Sequence, residues 1–305
     1  MTAITIKQAL RMASHALAGS DTVQVDAELL LSCALDKPRS HLYSWPERLL
    51  SPAEQSCFES LLERRILGEP MAYILGTRDF WTLTLHINRH VLIPRPETEL
   101  LIETALSLVG AGLPAIKCHA EGPQDTESRA GLAPTGDVVR VADLGTGSGA
   151  IALALASERP DWQVIATDQS IDALLVASDN ATRLGIRNVE FHRGNWCEAL
   201  PAGQFDMIVS NPPYIDPDDP HLTQGDLRFE PPSALAAGDN GLADIRSICA
   251  QAVHRLKPGG WLLLEHGWQQ GAAVTAILQE SGFADVETRK DLQGHDRVTL
   301  GRLRE

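Results

Sequence analysis

Asp143-Leu144-Gly145-Thr146-Gly147-Ser148-Gly149 decides how the second half of the chain is read. It follows an apolar run, Val138–Ala142, that has strand character, and it opens a helical stretch, Ala150–Ser157. Glycines let backbone approach a ligand closely, and the helix start presents free N–H groups. Gly145, Gly147 and Ala150 also satisfy the dinucleotide fingerprint G-x-G-x-x-G/A. Asp143 argues against that ligand. An acid two residues before the first glycine stands beside a pyrophosphate and repels it, whereas it favours a cationic α-ammonium or sulfonium. Asp168 closes the next strand, where a carboxylate accepts from both hydroxyls of a ribose. Any ribonucleoside cofactor suits that position, and a helix N-cap ahead of Ile171 is the competing reading.

Outward from this loop the chain alternates. Strands are expected at Gln163–Thr167, Val189–His192, Phe205–Val209, Trp261–Glu265, Asp285–Thr288 and Val298–Leu300, with helices at Ile171–Leu184, Leu242–Leu256 and Gln269–Ser281 between them. Lys257-Pro258-Gly259-Gly260 reads as a helix stop. Such alternation predicts an α/β fold with a doubly wound, mostly parallel sheet. Ligands then sit beyond the carboxyl ends of the strands, where the strand order reverses.

A second motif, Ser210-Asn211-Pro212-Pro213-Tyr214, ends the strand Phe205–Val209. Proline donates nothing to a ladder and restricts the residue before it, so the strand stops at Asn211 in a stiff tip. The tip holds a carboxamide with donor and acceptor ends, the Pro212 carbonyl and an aromatic ring. A planar NH2 group can give one hydrogen to each acceptor while Tyr214 covers its face. The plain alternative is a strand-ending turn. Asn195-Trp196 follows the third strand, where an adenine edge would fall; Trp196 either stacks on a base or is buried core.

Upstream, helical periodicity covers 4–18, 24–36 and 51–67, with Ser51-Pro52-Ala53-Glu54 reading as N-cap, N1 proline and capping-box glutamate. Residues 1–70 therefore form a small helical domain. Residues 71–111 carry a hairpin of Phe80–Ile87 with Val91–Ile93 and a helix from Pro96 to Leu108. Residues 112–137 are rich in Gly, Pro and Ala and read as a linker or insertion. Residues 138–305 form the ligand-binding domain. Five scattered cysteines without a CxxC signal neither a disulfide framework nor a metal site and fit a reducing cytosol. Met1–Ser20 has no signal-peptide pattern, and no apolar run reaches membrane length. A net charge of −14 argues against gripping a long nucleic-acid backbone.

Asp143–Gly149, Asp168 and Asn211–Tyr214, in this order, resemble the class I S-adenosylmethionine-dependent methyltransferases. The Asn-Pro-Pro-Tyr form is typical of those that methylate planar nitrogens. Gly68–Tyr73, Leu92–Glu99, Arg228–Pro231 and Leu264–Trp268 extend the likeness over nearly the whole chain, to the peptide chain release factor glutamine methyltransferases. The resemblance implies a seven-stranded sheet, S-adenosyl-L-methionine as cofactor, and N5-methylation of the glutamine in the Gly-Gly-Gln loop of class I release factors. A cytoplasmic enzyme is expected, and a monomer is the default, although the sequence does not set the oligomeric state. The resemblance also implies that Asp143, Gly145, Thr146, Gly147, Ser148, Gly149, Asp168, Trp196 and Asn211 line the cofactor site. Asn211, Pro212, Pro213 and Tyr214 hold the glutamine amide, with Asn211, Pro212 and Tyr214 catalytic. The N-terminal helices help seat the protein substrate, and Phe80 with the 92–99 loop closes over the cofactor. Asn195 departs from the aspartate frequent there in the family. The rival assignment is a DNA or RNA base exocyclic-amine methyltransferase, which shares the amine-holding motif.

Overall fold

The computed structural model describes residues 3–108 and 138–304, so the expected linker at 112–137 lies outside the described residues. The chain divides into two compact units. The first runs to Thr77 and also takes in Ile87–Arg89 and Pro220–Glu230; the second comprises Arg78–His86, His90–Asp219 and the chain from Pro231 onward. Among the described residues no helix is long and apolar enough to cross a membrane.

In the first unit, α1 (Ile6–Ala16), α2 (Val23–Leu35) and α4 (Pro52–Ile66) are the expected helices, and α3 (Arg39–Ser44) and α5 (Met71–Leu75) are added short ones. Their apolar stripes close a core around Ile6, Ala13, Leu30, Leu31, Phe58 and Leu62. The α4 start is the expected capping box: the Ser51 hydroxyl accepts from the Glu54 N–H, and the Glu54 carboxylate accepts from the Ser51 N–H at 2.8 Å. Ser51→Ala is expected to lower the unfolding free energy of this unit by about 1 kcal/mol, read as a lower urea midpoint at unchanged slope. Gly68 takes φ +89°, and a Cβ there would come within 2.1 Å of the Arg228 guanidinium, which donates to the Leu67 carbonyl. The Arg228 tip can move aside, so it is the left-handed backbone that favours glycine at this break after α4.

The second unit is built on a seven-stranded sheet of order β5-β4-β3-β6-β7-β9-β8. Its strands are β3 (Arg140–Leu144), β4 (Gln163–Asp168), β5 (Val189–Arg193), β6 (Phe205–Ser210), β7 (Leu256–Glu265), β8 (Phe283–Lys290) and β9 (Asp296–Leu303). Strands β3 to β7 pair in parallel, and β9 runs antiparallel to both β7 and β8. Every residue of β6 is buried, as expected for a central strand covered on both faces. The covering helices are α6 (Glu99–Leu108), α7 (Ala150–Glu158), α8 (Ile171–Leu184), the single turn α9 (Gly238–Gly241), α10 (Ala243–Ala252) and α11 (Gly271–Glu280). The strand order turns back between β3 and β6, which makes their carboxyl ends the expected ligand edge.

Two expectations are corrected. The hairpin is β1 (Thr77–Phe80) with β2 (Leu83–His86), and Val91–Ile93 is not a strand. The chain reverses at Trp81, which takes φ +56° while its N–H donates to Glu99 at 2.9 Å and its indole N–H to Glu158 at 2.8 Å. Two acids from distant elements hold a backbone conformation that alternation cannot reveal. The helix expected to reach Leu256 stops at Ala252, and Lys257–Gly260 lie inside β7. Leu256 is already paired with Phe205 of β6, and Gly260 lies so close to the Phe205 and Asp206 carbonyls that a Cβ would meet them at 3.1 Å. The glycines serve close strand approach there, not a helix stop.

Candidate active site

Parallel register aligns the strand tips. Leu144 of β3 sits opposite Thr167 of β4 and Ser210 of β6, and Ser210 sits opposite Leu264 of β7. The next residues along these four strands are Gly145, Asp168, Asn211 and Glu265, so one row across the sheet edge brings together groups far apart in sequence. The Ser210 hydroxyl donates to the Leu144 carbonyl at 2.7 Å and ties the two central tips together.

The glycine loop is held by backbone and by two carboxylates. The Gly145 and Thr146 N–H groups both donate to the Thr167 carbonyl at 2.9 Å. The Gly147 N–H donates to Asp168 Oδ2 at 2.9 Å, and the Ser170 N–H donates to Asp168 Oδ1. The cap of α8 is Ser170, whose hydroxyl accepts from the Ala173 N–H, so Asp168 is not the helix N-cap. The Gln169 N–H adds a third bond; a carboxylate has about four acceptor sites, so capacity for a ligand hydroxyl remains. Burial raises the Asp168 pKa, against the opposing bonds from Ser170 and Gly147.

Asp143 is fully buried. Its Oδ2 accepts from the Thr146 hydroxyl at 2.6 Å and from the Ala152 N–H at 3.1 Å, while Oδ1 has no partner. Burial pushes its pKa up to about 7. Asp143 therefore shapes the loop directly, and it reaches a ligand by its field rather than by contact. Asn180, 1 % exposed, braces the same loop: its Nδ2 donates to the Ser148 and His86 carbonyls, and its Oδ1 accepts from the His86 N–H at 2.7 Å. An asparagine inside a helical pattern carries no signal of that role.

Trp196 is partly buried and meets the core reading in part. One edge packs on the core of the sheet, and the ring lies over the loop, where a Cβ on Gly145 would meet it at 3.1 Å. Gly145 is required twice over, because its φ is +73°. A side-chain hydrogen bond joins Trp196 to Asp244. Asn195 is exposed, and Phe80 is buried at 2 % exposure in the hairpin.

Beyond β6, Pro212 is buried and Asn211, Pro213 and Tyr214 are half-buried. The Asn211 Nδ2 donates to the Thr98 hydroxyl at 3.1 Å. Gln270 staples the Tyr214 backbone, donating Nε2 to the Tyr214 carbonyl at 3.0 Å, and a Cβ on Gly241 would collide with that carbonyl. Burial raises the Tyr214 pKa well above the ordinary phenol value, so the ring stays neutral. Glu265 ends β7 at 1 % exposure, with its pKa pushed up to about 7 by burial. Thr98 and Glu265 belong to segments whose likeness to the family the sequence shows, yet nothing in the spacing says that they meet Asn211. Among the described residues no group of three or more His, Cys, Asp or Glu is placed to hold a metal ion.

Arranged this way, the edge offers a glycine cradle, a carboxylate and an indole on one side of the central tips, and a carboxamide, a carbonyl and a neutral phenol on the other. Comparison with known proteins identifies the family. Residues 8–76 match the PrmC N-terminal domain and residues 132–225 the methyltransferase small domain. The chain is 48% identical over 304 residues to the release factor glutamine methyltransferase of Vibrio cholerae, covering 99% of this chain and 98% of that one. It is 50% identical over 285 residues to that of Pseudomonas aeruginosa, covering 93% and 94%. A methyltransferase structure from Pyrococcus furiosus shares the fold with TM-score 0.50 at 15% identity, covering 81% of this chain and 100% of that one. With that identity running from end to end, the chain belongs to the release factor glutamine methyltransferase family and is a glutamine methyltransferase of class I fold.

Proposed function

We propose that the enzyme methylates N5 of the glutamine in the Gly-Gly-Gln motif of class I release factors, with S-adenosyl-L-methionine as methyl donor. The observation that carries this reading is the row of strand tips, which sets Asn211-Pro212-Pro213-Tyr214 directly beside the glycine loop. The residues present fit the donor. Gly145, Gly147 and Gly149 all have positive φ and no Cβ in the way of a ligand. Asp168 retains acceptor capacity for a ribose hydroxyl, Trp196 offers a ring beside the loop, and buried Asp143 adds negative potential beneath a cationic group. Ser148 and Thr146 complete the loop, and Asn211 closes the site from β6.

When bound, the donor supplies a methyl group on positively charged sulfur. An amide nitrogen is a poor nucleophile because its lone pair is delocalised, so this chain acts by positioning and electrostatics. Asn211 Oδ1 and the Pro212 carbonyl accept the two hydrogens of the substrate NH2. Both acceptors favour positive charge arriving on that nitrogen; as the nitrogen–methyl bond forms and the sulfur–methyl bond breaks, one NH2 hydrogen leaves as a proton to solvent and the product is the neutral N-methyl amide. Pro213 stiffens the corner, and Tyr214, held by Gln270, covers the face of the amide and excludes water. The helical first unit helps seat the protein substrate.

The test is incubation with labelled S-adenosylmethionine and purified release factor, with the methyl located by mass spectrometry and a Gln→Ala loop as control. Label on any residue other than the Gly-Gly-Gln glutamine overturns the assignment. Methylation of a nucleic-acid base in the same assay would favour the base-amine reading, which a net charge of −14 opposes. Asp168→Ala is expected to raise the dissociation constant for S-adenosylmethionine about tenfold or more, since hydrogen bonds to a charged group contribute about 1.5–3 kcal/mol each. Calorimetric titration reads it, and an unchanged constant removes Asp168 from the ribose.

A further inference from the structure

Asn211 works as an acceptor only if its carboxamide sits one way round. We propose that Glu265, acting with Thr98, sets that orientation, so that the oxygen of Asn211 and not its NH2 faces the substrate amide. The inference rests on the reading that Asn211 holds the glutamine NH2.

Three side chains from three separate elements carry it. Thr98 ends the turn before α6, Asn211 follows β6 and Glu265 ends β7. Thr98 is 4 % exposed and Glu265 1 %. Side-chain hydrogen bonds from Thr98 and from Asn211 both reach the Glu265 carboxylate. An ionised carboxylate only accepts. Thr98 therefore spends its single hydrogen on Glu265, and its oxygen is left as an acceptor for Asn211 Nδ2, the bond observed at 3.1 Å. Both partners demand the NH2 end of Asn211. A reversed carboxamide would set its oxygen against the Thr98 oxygen and the carboxylate, with no hydrogen between them. The acceptor end is thus directed away from this pair.

Glu265 is a costly way to brace a side chain. Its Oε2 has no partner among the described residues, which is uncommon for a buried carboxylate. Around it, Arg297 of β9 favours the charged form, and Glu97 of the turn before α6 opposes it. The Tyr214 phenol lies close enough to feel its charge, and His266 follows it in the chain. Burial outweighs the favourable partners and leaves the pKa at about 7. Below that value Glu265 gains a hydrogen, can donate, and no longer dictates which end of Asn211 it meets.

The test uses the full-length protein, S-adenosylmethionine and an intact release factor between pH 5.5 and 9. Expected for the unaltered enzyme is a kcat that falls as pH drops through a value near 7. Glu265→Gln and Thr98→Val should each lower kcat by about 10- to 100-fold, the worth of a hydrogen bond to a charged group, with the cofactor dissociation constant changed less than about twofold. Glu265→Gln should also abolish the fall at low pH, because glutamine does not titrate. Unaltered kcat in both variants overturns the proposal, as does a low-pH fall that persists in Glu265→Gln or cofactor affinity lost in step with turnover. Thr98→Val serves where Glu265→Gln fails to fold. A second readout needs no substrate. Hydrogen exchange of the Asn211 side-chain NH2, followed by 15N NMR, should be slow at pH 8 and faster in Thr98→Val; equal rates overturn the proposal. If the unaltered enzyme leaves release factors unmethylated while that exchange is slow, the substrate assignment fails and the orientation stands.

Discussion

Asn211→Ala is expected to lower kcat on the order of 10²–10³-fold, the cost of removing one preorganised partner of developing charge, with the S-adenosylmethionine dissociation constant within a few-fold of the original. The split follows from where the bonds go. In the proposed assignment cofactor groups meet many parts of the edge (the loop glycines, Asp168 and Trp196), whereas the substrate NH2 meets two acceptors, of which alanine deletes one. The Pro212 carbonyl survives, because the proline corner and the Gln270 bond to the Tyr214 carbonyl hold the backbone without Asn211. The lost group leaves Thr98 and Glu265 with one bond fewer each, and the Thr98 hydroxyl still reaches Glu265, so the buried carboxylate keeps a donor. Single-turnover kinetics at saturating cofactor should therefore show a slow chemical step. A variant with normal single-turnover rate would mean that Asn211 does not hold the reacting amide.

How much of this was legible in the sequence depends on whether a feature is local. The glycine loop, the proline-locked corner and the strand–helix alternation are written in contiguous residues, and the sheet and its ligand edge follow from them. The Ser51 capping box is local and appears as expected. Trp81 is not local: its left-handed φ is held by Glu99 and Glu158, and period-2 alternation ran straight through the turn. The Lys257–Gly260 stretch reads as a helix stop because glycine and proline punctuate helices and close-packed strands alike. The site shows the same division. Asp168 and Asn211 announce themselves at strand ends. Glu265 also ends an apolar strand, but its meeting with Asn211 depends on β7 lying next to β6, and that adjacency exists only once the sheet is folded. Sequence also presented Asp143 as a carboxylate facing its ligand, whereas the fold seals it beneath the loop.

Asp143→Asn is expected to stabilise the protein at neutral pH while weakening S-adenosylmethionine binding. In the unfolded chain the carboxyl has its ordinary value of 3.8; in the fold burial raises it to about 7. Below 3.8 both states are protonated and burial costs nothing through ionisation. Between the two values only the unfolded chain releases the proton, so stability falls with rising pH by about 1.4 kcal/mol per unit. Above about 7 the loss is complete, roughly 4 kcal/mol at most. Asparagine escapes it, at the cost of burying an NH2 group, about 1–3 kcal/mol if that group stays unpaired, which is less than the ionisation loss above about pH 7. Its oxygen can take the place of Oδ2 and accept from Thr146 and Ala152, while its NH2 stands where Oδ1 now has no partner. Glu265 is raised in the same sense, so the variant keeps part of the slope. The advantage of the variant in melting temperature should thus be least near pH 4, grow steadily from there to pH 7 and level off above it; an advantage that does not change with pH removes ionisation as its source. Opposite signs are expected for the ligand. A buried negative charge attracts a cation without touching it, so deleting it should raise the cofactor dissociation constant at pH 8 even as the fold becomes more stable. Equal affinity in both forms would leave Asp143 with the loop alone.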